Sequence, residues 1–186
     1  MRKKDDEKQK KIKEAVIKLT LHEGFHGASI SKIAKEAGVS PATVYIYYDN
    51  KEVMLRDIYR EYSEEVFEYL LSKLKNEVDG KKIIEQLIRN YYSYINENEE
   101  VFHFVDQFSS CPALSNNCKG KSGICILYKL LDDMKDKKII KNYRNENIVA
   151  ILFSPLKAIT INKNDNDKEK ELIEEMIQII QYALLV

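Results

Sequence analysis

Apolar residues recur at helical spacing along most of the chain, and no run alternates apolar and polar positions convincingly enough to predict a strand. Ile12, Ala15, Val16, Leu19 and Thr20 mark one face of a first helix expected from Asp5 to His22, with Lys and Glu on its other faces. Gly24 ends that helix as a residue that tolerates positive φ, and Phe25 folds back onto the start of the core. Ser29 is placed to cap a short second helix, Ile30 to Ala37, in which Ile33, Ala34 and Ala37 face inward. Gly38 makes a tight turn and Ser40 caps a third helix, Ala42 to Tyr48. Pro41 lies in its first turn, where a missing N–H costs nothing. A long fourth helix begins near Lys51 and carries Met54, Leu55, Ile58, Tyr59, Tyr62, Val66, Tyr69, Leu70 and Leu74.

Beyond Asp79-Gly80 the helical pattern returns in four blocks, Lys82 to Asn96, Glu99 to Ser109, Ile124 to Lys137 and Asn145 to Asn162, and a last helix runs from Lys168 to the end. Cys111 to Gly123 and Asn162 to Asp167 read as loops from their polar and breaker residues. Pro155 inside an apolar run predicts a kinked helix. The expectation is an all-α chain of about nine helices. A three-helix head over residues 1–50 precedes a helical body over 51–186. The scarcity of breakers, six Gly and three Pro, favours long helices over a turn-rich β architecture.

Charge changes the picture more than composition does. The chain is neutral as a whole, but residues 1–60 hold 13 basic and 9 acidic side chains, +4, which leaves 17 and 21, or −4, for the rest. A basic head on an acidic body suits a protein whose head alone meets phosphate. Met1 to Lys13 is charged and lacks an apolar core, so no secretory leader is expected there. No run reaches the roughly 18 apolar residues of a membrane span. Three Cys without a leader fit reduced thiols, and the chain is expected to be soluble and cytoplasmic.

The sharpest motif lies in the head. Two short helices that cross steeply need a small residue at the crossing, a Gly four positions on for the turn, and an apolar residue six further to close the pair. Ala34, Gly38 and Val44 meet those demands in order. The third helix then projects outward, where its N-terminal half fits a major groove about 12 Å wide.

The run Gly24-Phe25, then Ala28-Ser29-Ile30 leading to Ile33-Ala34-Lys35-Glu36-Ala37-Gly38-Val39-Ser40, resembles the head of tetracycline-repressor-type (TetR) regulators. So do Thr43-Val44-Tyr45, Tyr47-Tyr48, Lys51 and Leu55; Tyr48 stands where the family commonly has Phe. The likeness covers about residues 10–56. It implies that Thr43, Tyr45, Tyr47 and Lys51 contact phosphate or bases, and with the helix starts at Ser29 and Ser40 and the small or apolar Pro41 and Ala42 they make up the expected DNA-binding site. Hydroxyls, phenols and an ammonium suit phosphate oxygens. The starts of the second and third helices add backbone donors. Pro41, Ala42 and Ile46 either touch thymine methyls or permit close approach. With no Arg, Asn or Gln on the third helix before Asn50, DNA shape is expected to carry much of the specificity. Each residue also has a plainer role. Tyr48 is expected in the core, Lys51 is a solvated lysine or a phosphate ligand, and Arg2 to Lys13 is a solvated helix end or a phosphate-touching arm.

In the body, Ile148, Ile151, Leu152, Leu156 and Ile159 on one helix and Leu172, Met176, Ile179, Ile180 and Ala183 on the last form broad apolar faces. Packing against a second copy would cover them, and the resemblance implies a homodimer through these two helices. Tyr62, Tyr91, Phe104, Phe108, Tyr128 and Phe153 are candidates for a pocket holding a small lipophilic or aromatic effector. The alternative is that they fill the core. Cys111, Cys118 and Cys125 lack metal spacing and read as inert thiols, with redox sensing as the alternative. No catalytic constellation or cofactor motif stands out, so neither an enzyme nor a cofactor is expected. The resulting expectation is a dimeric repressor that binds double-stranded operator DNA and is released by an effector that shifts the fourth helix. The alternative is a helix-turn-helix protein whose body docks a protein partner.

Overall fold

A computed structural model describes residues 5–74, 77–109, 123–161 and 166–186. Among them lie nine helices and no strand: α1 (Asp6–Gly27), α2 (Ile30–Glu36), α3 (Pro41–Tyr47), α4 (Lys51–Ser72), α5 (Gly80–Glu97), α6 (Glu99–Ser109), α7 (Gly123–Asp136), α8 (Asn145–Ile161) and α9 (Asn166–Leu184). The chain divides into two compact units, Met1–Ser63 with Asn98–Asn117, and Glu64–Glu97 with Cys118–Val186.

The first unit starts at a cap. The Asp5 carboxylate accepts from the Glu7 and Lys8 amides, Asp6 and Glu7 place negative charge at the helix start, and Glu7 pairs with Lys11 one turn on. Gly24 breaks α1 with φ +71°, and one more helical turn follows to Gly27, beyond the stop at His22 that the pattern predicts. Ser29 caps α2 through the Lys32 amide and Ser40 caps α3 through the Thr43 amide. Between them Gly38 turns the chain at φ +66°. Ile12, Ala15, Val16 and Ile17 of α1 meet Ile33 and Ala34 of α2, Val44 and Tyr48, and Met54, Leu55, Ile58 and Tyr59 of α4 in one core. Phe104 of α6 is fully buried in the same core, with Val101, Val105 and Phe108 packed against it. This core takes in α6 and the first turns of α4, without which its apolar faces would be open to water.

In the second unit, α5, α8 and α9 pack on one another and α7 packs on α8. α5 presents Ile83, Ile84, Leu87, Ile88, Tyr91, Tyr94 and Ile95 inward. The Asp79 carboxylate caps its start through the Lys81 and Lys82 amides, and Gly80 marks a close approach, since a Cβ there would run into the Ile139 side chain. α8 continues through Pro155 as one helix, the absent amide leaving the Ile151 carbonyl without its helical donor. Lys141 closes the C-terminal end of α9 with its backbone amide on the Leu184 carbonyl and its ammonium on the Tyr182 and Ala183 carbonyls.

The two apolar faces of α8 and α9 split. Ile148, Leu152, Leu156 and Ile180 are buried within the unit, whereas Ile151, Leu172 and Ile179 are exposed. On α9, Leu172, Ile179 (52% exposed) and Tyr182 (89% exposed) line one stripe at helical spacing. No helix among the described residues is long and apolar enough to cross a membrane.

Candidate nucleic-acid interface

The outer face of α3 is built by what its inner face buries. Val44 is fully buried and Tyr48, one turn on, is 6% exposed; these two hold the helix against α1 and α2. A helix fixed along that line turns its next residues outward, and Tyr45 and Ile46 are 55% and 47% exposed. Pro41 and Ala42 are exposed beside them, and Thr43 is half-buried. Burial pushes the Tyr48 phenol up, against a hydrogen bond with Gln9 that lowers it.

Ser29 and Ser40 serve the backbone. The Ser29 hydroxyl accepts from the Lys32 amide at 3.3 Å, and the Ser40 hydroxyl accepts from the Thr43 amide at 3.1 Å. Ser40 Oγ also stands 2.9 Å from Thr43 Oγ1. That bond uses one of the two hydroxyl protons, so the pair retains one donor for an oxygen beyond the helix. The Tyr47 hydroxyl is committed differently: it donates to the Asp5 carbonyl at 2.9 Å and accepts from the Asp5 amide at 3.0 Å. Lys51 opens α4 with its ammonium 4.2 Å from the centre of the Phe25 ring. A cation at a helix start gains nothing from the helix dipole, and the aromatic face offsets that loss.

Six of the eight predicted contact residues thus share one element: Ser40, Pro41, Ala42, Thr43, Tyr45 and Tyr47 all lie on α3 or at its cap. Ser29 stands at the start of α2 and Lys51 at the start of α4. Several basic groups elsewhere in the unit are paired with acids. Lys13 pairs with Glu61, Lys18 with Glu36 and Lys32 with Glu23. The contacts from Tyr47 and Tyr48 back to Asp5 and Gln9 were not legible, because periodicity within a short helix says nothing about a partner about 40 residues earlier.

The six candidate pocket residues fall in both units. Phe104 is core of the first unit, with Phe108 5.2 Å from it ring to ring and Tyr62 packed nearby. Tyr91 is buried in the second unit with its ring 4.7 Å from Phe153, and Tyr128 is half-buried on α7. An open cleft of about 640 Å³ in the first unit is lined instead by Lys11, Glu14, Lys18, Glu36 and Glu100 with Ala15, Ala37 and Gly38. Cys125 is half-buried on α7; Cys111 and Cys118 lie outside the described residues.

Residues 12–58 match the family described as bacterial regulatory proteins, tetR family. An uncharacterized HTH-type transcriptional regulator of Haemophilus influenzae is 28% identical over 123 residues, 64% of either chain, so the match spans under two thirds of that relative. A TetR family transcription regulator of Marinobacter aquaeolei has a similar fold over 100% of this chain and 99% of its own, at a TM-score of 0.84 and 24% identity. The transcriptional regulator FadR of Bacillus subtilis, solved in complex with stearoyl-CoA, has a similar fold over 94% of this chain and 98% of its own, at a TM-score of 0.68 and 18% identity.

Proposed function

Because the chain belongs to the tetR family of bacterial regulatory proteins, we propose that it is a dimeric repressor that grips operator DNA with α3 and lets go when a small lipophilic effector binds. The observation that carries this reading is the frame of α3. Buried Val44 and Tyr48 hold the helix, so Thr43, Tyr45 and Ile46 face outward with one hydroxyl donor left over at the Ser40–Thr43 pair. Phosphate oxygens accept such donors and fix register, and the short or apolar side chains of Pro41, Ala42 and Ile46 allow close approach to base edges.

In this reading residues 1–50 are the operator-binding domain and the remainder serves dimerisation and sensing, in the cytoplasm. The exposed stripe of Leu172, Ile179 and Tyr182 seats a second copy, and two heads related by a two-fold axis read half-sites about 34–36 Å apart. A fatty-acyl thioester is the first effector to test, since the FadR neighbour was solved with stearoyl-CoA. The aromatic interior at Tyr91 and Phe153 suits an acyl chain. An effector acts only through different affinity for the bound and released states, so it must weaken DNA binding by the factor by which DNA weakens its own.

The test is selection of bound fragments from genomic DNA, followed by footprinting with and without stearoyl-CoA. The expected result is a protected site with two-fold symmetry, lost on adding the thioester. No protected fragment would end the operator reading. A footprint indifferent to the thioester would end the choice of effector and leave the operator.

A further inference from the structure

We propose that Phe25 is a positioning residue for DNA binding: its ring face holds the Lys51 ammonium, with the charge uncancelled, for a backbone phosphate beside α3. This rests on the reading that α3 faces DNA.

The two residues meet for local reasons. Gly24 breaks α1 at φ +71° with open space where its Cβ would be, so the backbone conformation alone calls for glycine there. Phe25 follows it, half-buried and packed against the core of the first unit, with its ring and that of His26 in an edge-to-face pair 5.4 Å between centres. Asn50 fixes the start of α4 by accepting from the Val53 amide at 2.8 Å, and Lys51 is the first residue of that helix. Its ammonium lies 4.2 Å from the centre of the Phe25 ring, inside the roughly 6 Å over which a ring quadrupole attracts a cation.

What matters is the kind of partner. Lys13, Lys18 and Lys32 are in ion pairs with Glu61, Glu36 and Glu23, so a phosphate that recruits one of them must first displace a carboxylate. Lys51 has Met54 and Leu55 one turn on, so its own helix offers it no acid there, and among the described residues no acid pairs with it. A ring holds an ammonium without cancelling its charge, and the N–H groups turned from the ring stay free to donate. Lys51 is half-exposed and so remains reachable. A lysine already held in place loses less rotamer freedom on binding than one that is loose. α3 ends at Tyr47, four residues before Lys51, so at no more than about 3.6 Å per residue the two backbones stay within about 14 Å. The held charge therefore stands close to the helix proposed to meet DNA.

The experiment is a double-mutant cycle on a short labelled duplex of mixed sequence, read as affinity and as its salt dependence. One side of the cycle is Lys51→Gln, expected to lower the log–log salt slope by about 0.9, the value for one phosphate no longer neutralised. The other side changes the ring. Phe25→Leu removes it, whereas a trifluorinated phenylalanine at position 25 keeps its shape while fluorine withdraws negative charge from its face, which tests the contact without opening the core. Both are expected to weaken binding about two- to fivefold, a surface contact of about 0.5–1 kcal/mol converted at 1.4 kcal/mol per tenfold, and to keep the salt slope because the charge stays. Neither is expected to change the affinity of Lys51→Gln, because both act through Lys51.

An equal loss in both backgrounds would make Phe25 a packing residue only and overturn the proposal. Parent affinity with the fluorinated ring would also overturn it, since Lys51 would then need no ring, and so would tighter binding, which would mean that the ring withholds the ammonium. Parent affinity and slope in Lys51→Gln, with binding abolished in Tyr45→Ala, would remove Lys51 from the interface and leave the α3 reading standing. An unmodified protein that binds neither the duplex nor any selected fragment would remove that reading and the role of Phe25 with it.

Discussion

Ser40 and Thr43 face each other across the first turn of α3 with their hydroxyl oxygens 2.9 Å apart, while the Thr43 amide also donates to Ser40 Oγ. One serine thus caps the helix and shares a proton with the threonine beside it. The two roles separate by substitution. Ser40→Ala removes the cap and is expected to destabilise the first unit by about 1 kcal/mol. Ser40→Asp keeps a capping oxygen and places a negative charge where phosphate is proposed to lie. Like charges facing each other at an interface cost up to several kcal/mol, so the aspartate variant is expected to fold normally and bind DNA at least about tenfold more weakly. Thermal melts and fluorescence anisotropy on the same two proteins check both halves. Normal DNA affinity in Ser40→Asp would place the phosphate elsewhere.

Gly38 turns between α2 and α3 with φ +66° and open space around its missing Cβ. Nothing would collide with a side chain there, so the cost of Gly38→Ala is the backbone conformation alone, roughly 1–2 kcal/mol. Gly38→Asn is expected to lose less, because asparagine tolerates the left-handed region. Equal stability of all three in denaturant titrations would show that the turn relaxes to another conformation.

Ala34, Gly38 and Val44 made the head legible, because a steep helix crossing restricts residue size at fixed spacing and that restriction survives in a sequence. The same physics explains what was not legible. Phe104 lies on a later helix and reads as one aromatic in an apolar face, yet it completes the core of the first unit; helical periodicity reports that a face is buried, not what buries it. Gly80 was legible as a break, but its reason is the side chain of Ile139, a contact between distant positions. The faces of α8 and α9 were seen as wholes, while the division between Leu152 inside and Ile151 outside depends on how α5 packs on them. In the candidate site, hydroxyls and phenols were placed on one helix, but the commitment of the Tyr47 proton to Asp5 depends on where the chain start lies in space.

Phe104 is fully buried among residues of α1 and α4, with Phe108 half-buried at its side. Phe104→Ala is expected to cost about 3–5 kcal/mol, as large aromatic truncations in closed cores do. Phe108→Ala is expected to cost less, because part of its ring already faces solvent. Equilibrium denaturation followed by circular dichroism measures both. A Phe104→Ala protein as stable as the parent, but altered in its response to an effector, would instead identify this aromatic as a pocket wall.

Arg89 of α5 holds both carboxylate oxygens of Glu174 on α9 at 2.7 Å and reaches Glu85 on its own helix, a planar two-bond fork. The guanidinium holds the Glu174 carboxyl below its usual range, and Glu174 in turn raises Arg89, which stays charged throughout. A carboxyl with a lowered value in the folded chain adds stability that is complete above the unfolded value, about 4.3, and is lost as pH falls through the folded value. Melting temperature measured from about pH 6 down to about pH 3 is therefore expected to fall more steeply in the parent than in Arg89→Met, with the two curves converging at the acid end. Both side chains are about half exposed, so the difference should be small and should shrink as salt is added. Parallel curves at low salt would show that the fork orders the two helices without contributing to their stability.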